Sequence, residues 1–105
     1  MSQNEQHIEK TFTANGTSDA FVVCGEFPVS IEGLTAAGAG SVLIERSSNN
    51  GVTYAPVKLP DFSDAAFTSD AEFNIVEKMN VKYRFVLSSY SSGSIVCRIG
   101  YKPQG

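Results

Sequence analysis

Apolar and polar residues alternate with a period of two along most of the chain. Phe27, Val29 and Ile31 are interleaved with Pro28, Ser30 and Glu32, and Val42 and Ile44 with Leu43 and Glu45. Ala71, Phe73 and Ile75 alternate with Glu72 and Asn74. Val81, Tyr83, Phe85 and Leu87 alternate with Lys82, Arg84, Val86 and Ser88, and Ile95, Cys97, Ile99 and Tyr101 with Val96, Arg98 and Gly100. Successive side chains of a strand point to opposite faces, so each run has one core face and one wet face. The best helical candidate, residues 64–72, is short and lacks an i, i+3, i+4 apolar stripe.

Turn residues punctuate these runs. Asn15-Gly16 marks a reversal, 35–40 (Thr-Ala-Ala-Gly-Ala-Gly) a flexible small-residue loop, and Ser48-Asn49-Asn50-Gly51 a tight turn. Ser91, Ser92 and Gly93 are expected to close a last hairpin, and Pro60-Asp61 marks an irregular connection. The pattern predicts about eight short strands, near 8–14, 19–24, 26–34, 41–47, 52–58, 71–77, 80–90 and 93–101. Short strands with frequent turns indicate an all-β fold, an antiparallel β-sandwich of jelly-roll-like form. The absence of long crossovers excludes a parallel sheet. Pro28 lies inside a strand run and places an edge or bulge there. Val29, Ile31, Val42, Ile44, Phe73, Ile75, Tyr83, Phe85, Ile95, Cys97 and Ile99 are the expected core. One domain over residues 8–105 follows from this, preceded by a polar flexible tail or arm, residues 1–7.

Composition narrows the class. The 105 residues are 42% hydrophobic and 18% charged, which excludes a disordered chain. A net charge of −3 lacks the basic excess of a duplex binder, so no nucleic-acid partner is expected. No apolar run reaches the length of a membrane span, and none is expected to contact a membrane. The polar opening lacks the basic and apolar regions of a secretory leader, so assembly in a cytoplasm is expected.

Candidate chemistry is sparse. Cys24 and Cys97 sit in apolar runs and read as two buried, reduced thiols acting as small hydrophobes. A disulfide between them would need an oxidising compartment. The single histidine, His7, lies in the tail, so no Ser-His or Cys-His dyad can be assembled around it. Asp61, Asp64, Asp70 and Glu72 cluster in one connection and read as a solvated acidic loop, without the ligand spacing of an EF-hand. Gly38-Ala39-Gly40 lacks the lysine and helix of a phosphate loop. Lys82, Arg84 and Arg98 are expected to share the wet face of the last hairpin. No catalytic, cofactor-binding or metal-binding residue is assigned, and the chain is not expected to be an enzyme or to carry a cofactor.

One short motif has structural content. The segment from Ser47 through Asn49, Gly51 and Thr53 to Tyr54 follows the Ser-x-Asp-x-Gly-x-Thr-Trp pattern of Asp-box hairpins, with Asn49 for the Asp and Tyr54 for the Trp. It predicts a turn braced by polar side chains over an aromatic ring.

Three stretches carry a wider resemblance: 27–33 (Phe-Pro-Val-Ser-Ile-Glu-Gly), 40–57 from Gly40 through Glu45-Arg46-Ser47 to Val57, and 83–99 from Tyr83-Arg84-Phe85 to Ile99. Over residues 20–101 the chain resembles small β-sandwich virion structural proteins of tailed bacteriophages. That resemblance implies a capsid decoration or cement protein, located in the virion. Its partners would be the major capsid protein or other virion proteins, and it would be a homo-oligomer, dimer or trimer. Head-fibre, connector and tail-associated roles share the same motifs. An alternative from a different class is a glycan-binding β-sandwich module. With no Trp in the chain, Tyr90 beside the Ser-Gly turn is the best exposed aromatic for stacking on a sugar.

Overall fold

The computed structural model describes residues 6–59 and 61–101. Residues 1–5, Pro60 and residues 102–105 lie outside it, and with them most of the expected tail. The strands are β1 (Gln6–Phe12), β2 (Gly16–Thr17), β3 (Phe21–Glu32), β4 (Ser41–Ser47), β5 (Ala55–Pro56), β6 (Ala66–Phe67), β7 (Ala71–Ser88) and β8 (Ile95–Tyr101), with one short helix, α1 (Leu34–Ala37). All pairings are antiparallel, in the order β1-β8-β3-β7-β4-β5, with β2 also on β7 and β6 also on β4. The all-β, antiparallel, sandwich-like architecture expected from the alternation is the one found, drawn from a single sheet.

The sheet becomes sandwich-like because its two longest strands bend together. The expected strands 19–24 and 26–34 are one strand, β3, and 71–77 and 80–90 are one strand, β7. Their ladder runs Val23↔Val81 and resumes at Gly25↔Glu77, so Cys24 alone faces Lys78, Met79 and Asn80. Gly25 takes φ +83°, a left-handed value that glycine adopts without steric cost. β7 carries two extra residues here, an even number, so odd-numbered side chains stay on the inner face on both sides of the bulge. Phe27 pairs with Ile75 in the ladder, yet its ring meets Tyr83 edge-on at 5.6 Å. The sheet has therefore curled over itself, and its two halves share one core.

The alternation selects the greater part of that core. Val29, Ile31, Val42, Ile44, Tyr83, Phe85, Ile95, Cys97 and Ile99 are all buried, with Phe27, Leu34, Val81 and Leu87 among the others. Phe73 and Ile75 are only partly buried, packed against the core from one side. They flank an open edge described below.

The last hairpin is the main correction. β8 does not return onto β7; it lies between β1 and β3. The reason is occupancy. The C-terminal part of β7 already has β4 on one side, Ser41↔Ser88 to Ser47↔Lys82, and β2 with Phe21–Val23 on the other. The chain must cross over, and it finds the free edge of β3 at Val29–Glu32. The 35–40 loop also differs, because its first residues form the single turn α1. The Asp70 carboxylate accepts hydrogen bonds from the N–H groups of Leu34 and Thr35 at 2.8 and 3.0 Å, which satisfies two otherwise unpaired donors. Gly33 precedes this turn at φ +86°, where a Cβ would lie 2.1 Å from the Ser94 carbonyl oxygen. The expected strand 52–58 shrinks to β5, because side-chain hydrogen bonds shape the turn before it.

A candidate interaction edge and its flanking cleft

β7 is covered on both sides only along part of its length. β4 pairs with it from Lys82 to Ser88, while residues 71–77 have β3 on one side and no strand on the other among the described residues. Pro28 shows which peptide groups face outward. It has no N–H and stands opposite Asn74, which is tolerable where paired residues turn their peptide groups away from each other. β8 begins pairing with β3 only at Val29, so Pro28 lies at a local edge on that side too. Peptide groups alternate in direction along a strand, so Glu72, Asn74 and Val76 turn N–H and C=O away from β3. This is an edge ready to pair with another strand.

The edge lies beside a groove of about 660 Å³, with Val57, Leu59 and Phe67 on one wall and Phe73 and Ile75 on the other. The Phe67 and Phe73 rings meet at 5.1 Å. A second cleft of about 390 Å³ adjoins it, sharing Val57, Lys58 and Ile75 and reaching Arg46, Tyr54 and Glu77. At its end a polar clasp fixes the bend. The Glu77 carboxylate accepts from Arg46 Nε and Nη2, both at 2.9 Å, and from the Tyr83 hydroxyl at 2.5 Å. Glu77 and Tyr83 are six residues apart on one strand, which would separate them by roughly 20 Å if it ran straight. The bulge between them makes the contact possible. Burial, followed by the bond to Glu77, pushes the Tyr83 hydroxyl well above its ordinary range, so it remains a neutral donor. Arg46 is raised chiefly by its hydrogen bonds to Glu77.

The carboxylates that are close in sequence take different partners. Asp70 caps α1, and the Thr35 N–H holds it below the usual carboxylate range. Asp61 accepts from the hydroxyl and N–H of Ser63, the hydroxyl bond being the main cause of its lowered pKa. Asp64 pairs with Lys58, and Glu72 stands exposed on the β7 edge. No group of three metal-ligating side chains occurs among the described residues.

The three basic residues do not share a hairpin face either. Arg84 bonds Glu45 at 2.7 Å and stacks over the Tyr54 ring at 3.8 Å, whereas Arg98 bridges β1 and β3 through Glu9 and Glu32. Lys82 stands opposite Ser47 on β4. Tyr90 is only partly exposed. It packs against the core and donates its hydroxyl to the Gly93 carbonyl at 2.7 Å.

The braced turn forms as its motif predicts. The Gly51 N–H donates to Ser47 Oγ at 2.8 Å, the Thr53 N–H to Asn49 Oδ1 at 3.0 Å, and Asn49 Nδ2 to Thr53 Oγ1 at 2.8 Å. The thiols divide. Cys97 is buried and its pKa is pushed up to about 12, but Cys24 is exposed, a correction to its expected burial. Cys24 is even-numbered and so falls on the outer face of β3, which its apolar neighbours in sequence conceal. His7 lies in β1, paired with Gly100.

The alternation in 71–77 does not mark these residues as an edge, because edge and central strands share that pattern. Pro28 was the available signal, and its meaning depended on knowing the partner strand. No protein-family model matches the chain, and neither a curated protein nor a solved structure does.

Proposed function

We propose that this protein is a non-enzymatic structural component of a bacteriophage virion, a capsid decoration or cement protein that binds and stabilises the assembled head. The virion setting rests on the sequence resemblance over residues 20–101. The observation that carries the structural role is the open β7 edge beside its apolar groove. Such a surface recognises another chain by backbone pairing, with alternate side chains seated in pockets. The rest of the body supports this role. Ion pairs tie neighbouring strands together across the sheet, Arg98 to Glu9 and Glu32 and Arg84 to Glu45, and no buried side-chain N or O lacks a partner among the described residues. Binding to a repeating shell needs only modest affinity per contact when linked copies engage together.

Cosedimentation tests the reading. Purified protein is mixed with empty phage heads, with isolated capsid subunits, and with tails, and mass spectrometry of purified virions measures its copy number. Binding to assembled heads, with many copies per virion, is the expected result. Absence from virions and failure to sediment with any virion part would overturn it. Sedimentation with tails alone would move the protein to a tail-associated position and overturn the decoration role.

A further inference from the structure

We propose that the open edge of β7 pairs antiparallel with the same edge of a second copy, about a twofold axis at Ile75. The inference deepens the structural reading above and rests on it only for the expectation of self-association.

Three observations carry it. The first is backbone geometry. Glu72, Asn74 and Val76 turn their peptide groups outward, as argued from Pro28, and an identical edge offers matching donors and acceptors. An antiparallel twofold contact is self-complementary, so one edge suffices and the assembly closes at two copies.

The second is charge. Glu72 and Lys78 are both exposed on the outer face of β7, and neither has an ion-pair partner among the described residues. Centring the axis on Ile75 sets Glu72 of each copy opposite Lys78 of the other, and Asn74 opposite Val76. Moving the axis one residue to Asn74 would set Glu72 against Val76 and Lys78 against Asp70, which lies before β7 and already accepts from the Leu34 and Thr35 N–H groups. Opposite charges directly across a ladder stabilise a pair, so they select the register.

The third is the lack of edge protection. Strand edges that must stay single are broken by proline, bulges or inward charges. Residues 71–77 contain no proline and no irregularity, their inward charge, Glu77, is taken up within the copy by Arg46 and Tyr83, and Val76 is 61% exposed beside Met79 at 54%. Pairing about Ile75 sets Met79 beside Ala71 of the other copy and Ile75 beside its own counterpart.

The test uses the full chain in sedimentation equilibrium across a concentration series, with no phage component present. Wild-type protein is expected to dimerise. Asn74→Pro removes one outward N–H from each copy while leaving the β3 ladder intact, and should raise the dimer Kd by about tenfold or more with little change in Tm. Glu72→Lys and Lys78→Glu should each weaken the dimer several-fold at low salt, and the double variant should restore it. These two positions are exposed, so the charge reversals remain informative even if Asn74→Pro fails to fold.

A wild-type monomer up to its solubility limit would overturn the proposal. So would an Asn74→Pro dimer of unchanged affinity, or a double reversal without rescue. Open-ended polymers that persist unchanged in Asn74→Pro would also overturn it, because their contacts would then run through another edge such as β1. The same protein can fail to dimerise and still sediment with phage heads, or dimerise and ignore them, so the two readings fail separately.

Discussion

Removing the Glu77 carboxylate should expose how the bend in β7 is held. In Glu77→Ala the Tyr83 hydroxyl, on a fully buried residue, loses its acceptor at 2.5 Å, and Arg46 loses two bonds at 2.9 Å. Stranding a buried hydroxyl costs about 1–3 kcal/mol. The Arg46 side chain is 32% exposed and recovers water, so its lost pair is nearer the surface value of about 0–1 kcal/mol. The total is about 1–4 kcal/mol, a large part of the roughly 5–15 kcal/mol available to a small domain. In a Tyr83→Phe background no hydroxyl remains to be stranded. There Glu77→Ala should cost only the Arg46 part, leaving a coupling of about 1–3 kcal/mol. Urea unfolding of the four proteins at neutral pH, with equal m-values as the control, measures it. Equal costs for Glu77→Ala in both backgrounds would refute the clasp.

Further outcomes follow from the core, the thiols and the titrating groups. Ile44→Ala, at a fully buried site of β4, should destabilise by about 2–5 kcal/mol in the same assay, and an unchanged midpoint would contradict the register of β4. Alkylation without reductant should label Cys24 in the native protein and Cys97 only after denaturation, as read by intact mass. The raised Tyr83 and Cys97 pKa values give a signed alkaline effect. Both groups stay protonated in the fold, so their contribution is fully present below their unfolded values, about pH 8.5 for the thiol and about pH 10 for the phenol. It is then lost as pH rises toward the folded values. Tyr83→Phe should flatten the alkaline decline of the urea midpoint above about pH 10, and an unchanged slope would count against it. At the acid end, the lowered Asp70 pKa places its contribution above the usual carboxylate range, to be lost as pH falls through the folded value. Asp70→Ala should therefore remove part of the acid sensitivity seen in melting curves.

The alternation of side chains was enough to specify the all-β class, the inner face of β4 and β8 and of most of β3 and β7, and the greater part of the core. Period-two burial is a local property, and a one-residue slip would have turned Val29, Ile44 or Phe85 outward. The braced turn was legible for the same reason, since Ser47, Asn49 and Thr53 bond one another within a few residues. What the alternation could not carry was pairing. Strands that look separate in sequence joined through the bulge at Gly25, because glycine admits a left-handed residue where a turn was expected. β8 left β7 for β3 because both edges of the C-terminal part of β7 were already filled, a fact about neighbours far away in sequence. The Glu77 clasp, which joins residues six apart on one strand, depends on that curl. The open edge at 71–77 exists only because β4 stops at Lys82, short of the bend, and where a neighbouring strand ends is decided by the tertiary fold and not by the residues it leaves uncovered.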